Sequence, residues 1–167
     1  MKENQFVLSV MVENHFGVLT RISGLFSRRG YNIDSLNVSE TENPLYSRMT
    51  IIVTGDEYVK SQIVKQVAKL QEVKVVELMP GKTTLLREHI LIKINVTRQT
   101  RTEVSEAVNI FRGKIIDFNT DSITVEMTGE SSKLDGFIEY VKTFGIIEMC
   151  RAGALAIKRG SEYLCKV

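Results

Sequence analysis

The stretch Phe6-Val7-Leu8-Ser9-Val10-Met11-Val12-Glu13-Asn14-His15-Phe16-Gly17-Val18-Leu19 changes its hydrophobic period partway along, and that change decides the fold. Phe6 to Val12 holds six apolar residues in seven, interrupted only by Ser9, and reads as a buried strand. From Val18 the apolar residues recur at Leu19, Ile22, Leu25 and Phe26, the spacing of an amphipathic helix. The join is therefore a helix N-terminus placed directly after a strand, with Gly17 ending the connection. Such a terminus leaves backbone N–H groups without intrahelical partners and carries partial positive charge, so it can hold a carboxylate or a phosphate. Turns containing Asn and Gly more often serve only as connections, and this motif alone leaves the choice open.

Working outward, Gly30 stops the helix, and Tyr31 to Ser39 alternates with period two as a half-buried strand. Glu40-Thr41-Glu42-Asn43-Pro44 forms a turn, and Tyr46 to Thr54 returns as the second arm of a hairpin. Gly55-Asp56-Glu57 opens a second helix with Val59, Ile63, Val67 and Leu70 inward, and Val73 to Met79 supplies a last strand. The order strand, helix, strand, strand, helix, strand is that of a ferredoxin-like domain. It recurs in the second half as Glu88–Val96, Thr102–Phe111, Lys114–Phe118, Ser122–Met127, Leu134–Val141 and Ile146–Arg151, with Gly113 matched to Gly30. An α+β protein of two tandem ferredoxin-like βαββαβ domains follows, and 167 residues suit two such units. The expected boundaries are residues 5–79 for the first domain, 80–85 for a linker around Pro80-Gly81, 86–160 for the second domain and 161–167 for a tail. Within the second block, Ala154 to Gly160 has enough alternation for an added edge strand.

Composition narrows the function. The net charge of +2 comes from 22 basic and 20 acidic residues scattered along the chain, too weak a field for a nucleic-acid surface. The central-strand candidates carry aromatic residues only at Phe6 and Tyr46, which argues against an RNA platform. No run approaches the ~18 apolar residues of a membrane span, and Met1 to Gln5 leads straight into a strand, so a cytoplasmic protein without membrane contact is expected. Cys150 and Cys165 are too few and too far apart for a disulfide framework, which suggests reduced thiols. His15 and His89 stand in different halves with no cluster at metal-ligand spacing, and no nucleophile, P-loop or zinc motif is present. A binding module is favoured over an enzyme, with no catalytic residue and no metal expected. Gly30-Tyr31-Asn32-Ile33 adds to the binding reading if its strand lies beside the first one and faces the Asn14–Leu19 turn, since backbone groups and Asn side chains can hold both ends of a zwitterion. Asn32 is equally well explained as a turn residue.

Leu8-Ser9-Val10, Glu13 to Leu19, Gly24 to Leu36, Ser47 to Ile51 and Asn109-Ile110-Phe111-Arg112-Gly113-Lys114-Ile115-Ile116-Asp117 closely resemble, in order, the small regulatory subunit of acetohydroxyacid synthase, also called acetolactate synthase. The resemblance implies that the first domain is an ACT domain. It implies a homodimer that binds a large catalytic subunit, itself using thiamine diphosphate, magnesium and FAD to join two 2-keto acids in branched-chain amino acid synthesis. The small subunit in that family activates its partner and confers feedback inhibition, chiefly by valine, bound where two ACT domains pair. The matching effector positions here are Asn14, Gly17, Val18 and Leu19 on the turn and helix start, with Asn32 and Ile33 on a facing strand, and Val18, Leu19 and Ile33 as an apolar wall. His15 and Phe16 stand where the family varies, which leaves open whether leucine or isoleucine competes with valine. The alternative from another class is a free-standing ACT-domain sensor that controls transcription or an unrelated enzyme.

Overall fold

The computed structural model describes residues 4–164. Cys165 therefore lies outside the described residues, as does the end of the expected tail. The chain runs β1 (Gln5–Glu13), α1 (Val18–Arg28), β2 (Ser35–Glu40), β3 (Tyr46–Thr54), α2 (Glu57–Val67), β4 (Val73–Leu78), β5 (Thr84–Asn95), α3 (Arg101–Ile110), β6 (Lys114–Phe118), β7 (Ser122–Gly129), α4 (Ser131–Val141), β8 (Ile146–Arg151) and β9 (Leu155–Lys158). It divides into two compact units. The first reaches Leu86 and takes in the chain again from Gly153, while the second is Arg87–Ala152.

In the first unit an antiparallel sheet of order β2-β3-β1-β4 carries α1 and α2 on one face. Phe6, Leu8, Val10 and Val12 of β1 meet Val18, Ile22, Leu25 and Phe26 of α1 and Ile63 and Val67 of α2. The opposite face of β1 is also covered, with Val7, Ser9 and Met11 buried, which is why the strand reads as an almost unbroken apolar run. Asp56 caps α2 by accepting from the Val59 N–H at 2.8 Å, a contact worth about 1 kcal/mol.

Three expectations are corrected here. The strand expected from Tyr31 begins at Ser35, because the end of α1 takes the earlier residues. Gly30, at φ +69°, turns the chain so that the Tyr31 N–H closes on the Phe26 carbonyl at 3.0 Å, and sheet pairing starts only where Asp34 donates to Ile52 O at 2.9 Å. This strand also does not lie beside β1, since β3 stands between them. Finally, Gly30 and Gly113 are not equivalent. At the end of α3 the left-handed position belongs to Arg112, at φ 53°. Gly113 is small for another reason: a Cβ there would stand 2.8 Å from the Met127 methyl and 3.1 Å from a Val125 methyl.

The second unit repeats the topology, with sheet order β6-β7-β5-β8 and α3 and α4 over a core of Ile90, Ile92, Ile94, Ile123, Val125, Met127, Val104, Val108, Leu134 and Phe137. The equivalence of strand orders makes the internal repeat a structural fact.

The segment from Gly153 groups with the first unit by its packing, and the added strand expected within Ala154 to Gly160 is present as β9, which pairs with β5. Ala154 and Ala156 are buried against Val7, Ile52 and Met79 on the face of the sheet away from the helices, with Leu86 beside them. The reason is the apolar character of that face, which needs a cover no helix supplies. The expected linker is likewise short: Pro80 to Thr83 is a turn closed by the Thr83 N–H on Pro80 O at 3.1 Å, and β5 begins at Thr84.

Candidate effector site

β1 ends at Glu13, whose backbone N–H donates to Glu72 O at 2.9 Å, and the chain then turns through Asn14 to Gly17 into α1. Gly17 holds φ +88° as the N-cap and has no side chain with which to cap the helix, and the first turn of α1 contains no acidic residue. The partial positive charge at the N-terminus of α1 is thus met by no side-chain cap and no acidic residue of the first turn. A Cβ built on Gly17 meets nothing within 4 Å, so the space over this terminus is open.

The turn is held by side chains far away in sequence. Asn14 donates from Nδ2 to Pro44 O at 2.9 Å and to Glu40 Oε2 at 3.3 Å, and its Oδ1 accepts from Ser47 Oγ at 2.9 Å. Its backbone N–H donates to Leu45 O at 2.8 Å. Both amide hydrogens are in use, so Asn14 offers a ligand only the second lone pair of Oδ1 and otherwise fixes the turn to the β2–β3 hairpin. Beside it, Glu13 accepts from Lys74 Nζ and contacts His15 Nε2 at 3.2 Å, while His15 Nδ1 lies 3.0 Å from Phe16 O. The Lys74 ammonium first, and His15 after it, hold the Glu13 carboxyl below the ordinary carboxylate range. The Lys74 ammonium is in turn raised by Glu13. Arg21 of α1 pairs at 2.6 Å with Glu72, a nearly buried carboxylate.

The expected effector residues divide into two places. Leu19 is exposed and available as an apolar contact, and Phe16 beside it is fully exposed. Val18 is not part of an apolar wall, because its side chain belongs to the core cluster under the sheet and is only 4% exposed. Its backbone N–H donates to His15 O at 3.5 Å. Asn32 and Ile33 sit on the loop before β2 rather than on a strand. Asn32 Nδ2 donates to Asp34 Oδ1 at 2.7 Å, and Asp34 Oδ2 accepts from Thr54 Oγ1 at 2.6 Å. Register fixes the distance between the two places. Glu13 pairs with Tyr46 and Ser47 with Glu40 at one end of the sheet, while Val7 and Ser35 both pair with Ile52 toward the other. Six residues of β1 separate these levels, about 20 Å of strand, so one chain does not bring Asn14 and Gly17 to Asn32 and Ile33. The contacts of Glu40, Pro44 and Ser47 with Asn14 had no signal in sequence spacing. They span 26 to 33 residues, and only the hairpin register brings them back.

Among the described residues no group of three or more His, Cys, Asp or Glu side chains is placed to hold a metal ion. Nor is any described helix long and apolar enough to cross a membrane. Cys150 is a free, exposed thiol.

Comparison with known proteins places this geometry. Residues 87–160 match the family model described as the small subunit of acetolactate synthase, and residues 8–75 match the ACT domain of small subunits of this kind. The chain is 45% identical over 164 residues to a probable acetolactate synthase small subunit of Methanothermobacter thermautotrophicus, covering 97% of both chains. It is 44% identical over 160 residues to the small subunit of acetolactate synthase isozyme 3 of Escherichia coli, covering 95% of this chain and 98% of that one. The crystal structure of an acetolactate synthase small subunit from Thermotoga maritima superposes with a TM-score of 0.87 at 37% identity, over 95% of this chain and 99% of the other. The matched stretches include the β1–α1 turn and the loop before β2, so the chain belongs to the family of acetolactate synthase small subunits, with an N-terminal ACT domain.

Proposed function

We propose that this chain is a non-catalytic regulatory subunit that activates a large acetolactate synthase subunit in the cytoplasm and makes it subject to feedback inhibition by valine. The thiamine diphosphate, magnesium and FAD belong, in this reading, to the large subunit. The observation that carries the proposal is the uncapped N-terminus of α1 at Gly17, open to a carboxylate, on a chain whose relatives bear the name of a small subunit.

The 20 Å separation described above determines how the effector is held. Asn14, Gly17 and Leu19 of one protomer meet Asn32 and Ile33 of its partner, because a two-fold axis brings opposite ends of the two sheets together. The helix terminus then receives the carboxylate of valine, the loop carbonyls and Asn32 receive the ammonium, and Leu19 and Ile33 flank the side chain. Leucine differs by one methylene, a difference worth only about 1 to 3 kcal/mol, so some competition is expected.

The test is reconstitution. The purified chain alone forms no acetolactate; added to its large subunit it raises the rate, and valine then lowers it. Turnover by this chain without a large subunit, or a large subunit indifferent to its presence, overturns the reading.

A further inference from the structure

The strongest unassigned feature is the point where the chain leaves the second unit and rejoins the first. Arg151, at the end of β8, is anchored in the second unit: its Nε donates to Glu88 Oε2 at 2.6 Å and Nη1 to Asp135 Oδ1 at 2.6 Å. Glu88 is itself 8% exposed and also accepts from Ser131 Oγ. Ala152 adds a backbone bond, donating to His89 O at 2.9 Å. The next two residues are fixed in the first unit. Ala154 is 1% exposed in the cluster with Val7, Ile52 and Met79, and its N–H donates to Ser35 Oγ at 3.4 Å. Gly153 lies so close to β2 that a Cβ there would stand 2.5 Å from Leu36 O, 2.7 Å from Leu36 C and 3.0 Å from Asn37 N. These are backbone atoms in a paired strand, and they have no rotamer by which to yield. The position admits only glycine for reasons of approach rather than dihedral angle, since Gly153 is not among the glycines with positive φ.

Ser35 is the first residue of β2, and the loop that carries Asn32 and Ile33 immediately precedes it. We propose that the Gly153–Ala154 crossing is a positioning element for the Asn32–Ile33 loop. This rests on the reading of Asn32 and Ile33 as effector residues. Gly153 and Ala154 touch no effector; they set where β2 begins, and the loop before it is placed accordingly.

Two variants of the full chain test this. Gly153→Ala forces the crossing away from β2, and Ser35→Ala removes one hydrogen bond without adding an atom. Backbone amide hydrogen exchange followed by mass spectrometry reads the loop directly, and reconstitution with the large subunit gives the valine midpoint. Expected for Gly153→Ala is a rise of about tenfold or more in exchange over residues 33–37 and a comparable rise in the valine midpoint, with exchange in the core of β7 unchanged. Ser35→Ala moves both in the same direction by a smaller factor, and it carries the test if Gly153→Ala does not fold. Wild-type exchange at 33–37 in both variants overturns the proposal. So does raised exchange with an unmoved valine midpoint, provided the wild-type complex responds to valine. A wild-type complex indifferent to valine defeats the effector reading separately, and the exchange comparison then decides whether the crossing holds the loop.

Discussion

At Gly17 two requirements meet, a left-handed backbone and an open space over a helix terminus. Gly17→Asp satisfies the space but not the backbone. Its side chain fills the position proposed for the effector carboxylate and would compete for the same N–H groups, while the positive φ costs about 1 kcal/mol and the helix dipole returns about 0.3 to 1 kcal/mol. The expected result is a folded, dimerising, activating variant whose calorimetric valine affinity falls by more than about tenfold. Unchanged affinity would remove this turn from the effector site. Asn14 makes a different prediction, because its side chain is already spent on Pro44, Glu40 and Ser47. Asn14→Ala leaves Ser47 Oγ without its acceptor and frees the turn from the hairpin, costing about 1 to 3 kcal/mol in thermal unfolding as well as effector binding. Glu13 adds a pH dependence. Its carboxyl is held below the ordinary range by Lys74 and His15, so the clasp contributes fully above the unfolded-state value and is lost as pH falls through the lower folded one. Valine midpoints measured from neutral pH to below about pH 4 should stay flat until the ordinary carboxylate range is reached and rise only below it, and Glu13→Gln should remove that rise. The turn from Asn14 to Gly17 was legible because a strand-to-helix change of period is local. That Val18 points into the core was not legible, because the phase of a helix relative to its sheet is set by packing.

Elements whose signals are local were legible to within a few residues, as with β3, β6 and β8, whose expected ends match those observed. The misplaced start of β2 has a local cause as well, the closure of α1 on Tyr31, but it needs the glycine's dihedral to be known. The position of β2 across the sheet was not legible. Alternation marks a strand without naming its neighbour. The added strand within Ala154 to Gly160 was legible, but what it covers was not, because the side chains packed against Ala154 and Ala156, those of Val7, Ile52 and Met79, lie 75 or more residues earlier. Removing residues from Gly153 onward uncovers those side chains and strands Glu77, which Lys158 contacts at 2.9 Å. The truncated chain is expected to lose about 2 to 4 kcal/mol in denaturant unfolding. Undiminished stability would show that the sheet face needs no cover. In the second unit, Gly113→Ala overpacks the contact with Met127 and Val125 and should cost about 1 to 3 kcal/mol, a penalty that Met127→Ala added to it should relieve.

For the whole molecule, the two places that carry the proposed effector residues are about 20 Å apart along one chain, and the proposed function unites them through a symmetric pair of chains. The regulatory role and the dimer are then a single claim. It is tested most directly by co-expressing Asn14→Ala and Asn32→Ala chains with the large subunit and measuring valine inhibition of acetolactate formation. Each variant alone should leave the complex insensitive, since every site lacks one member. In the random mixture about half the dimers are hybrids, each with one site built from the two unmutated halves, so about a quarter of all sites are intact and inhibition partly returns. A mixture as insensitive as either variant alone would contradict the account, for it would mean that Asn14 and Asn32 do not combine across two chains.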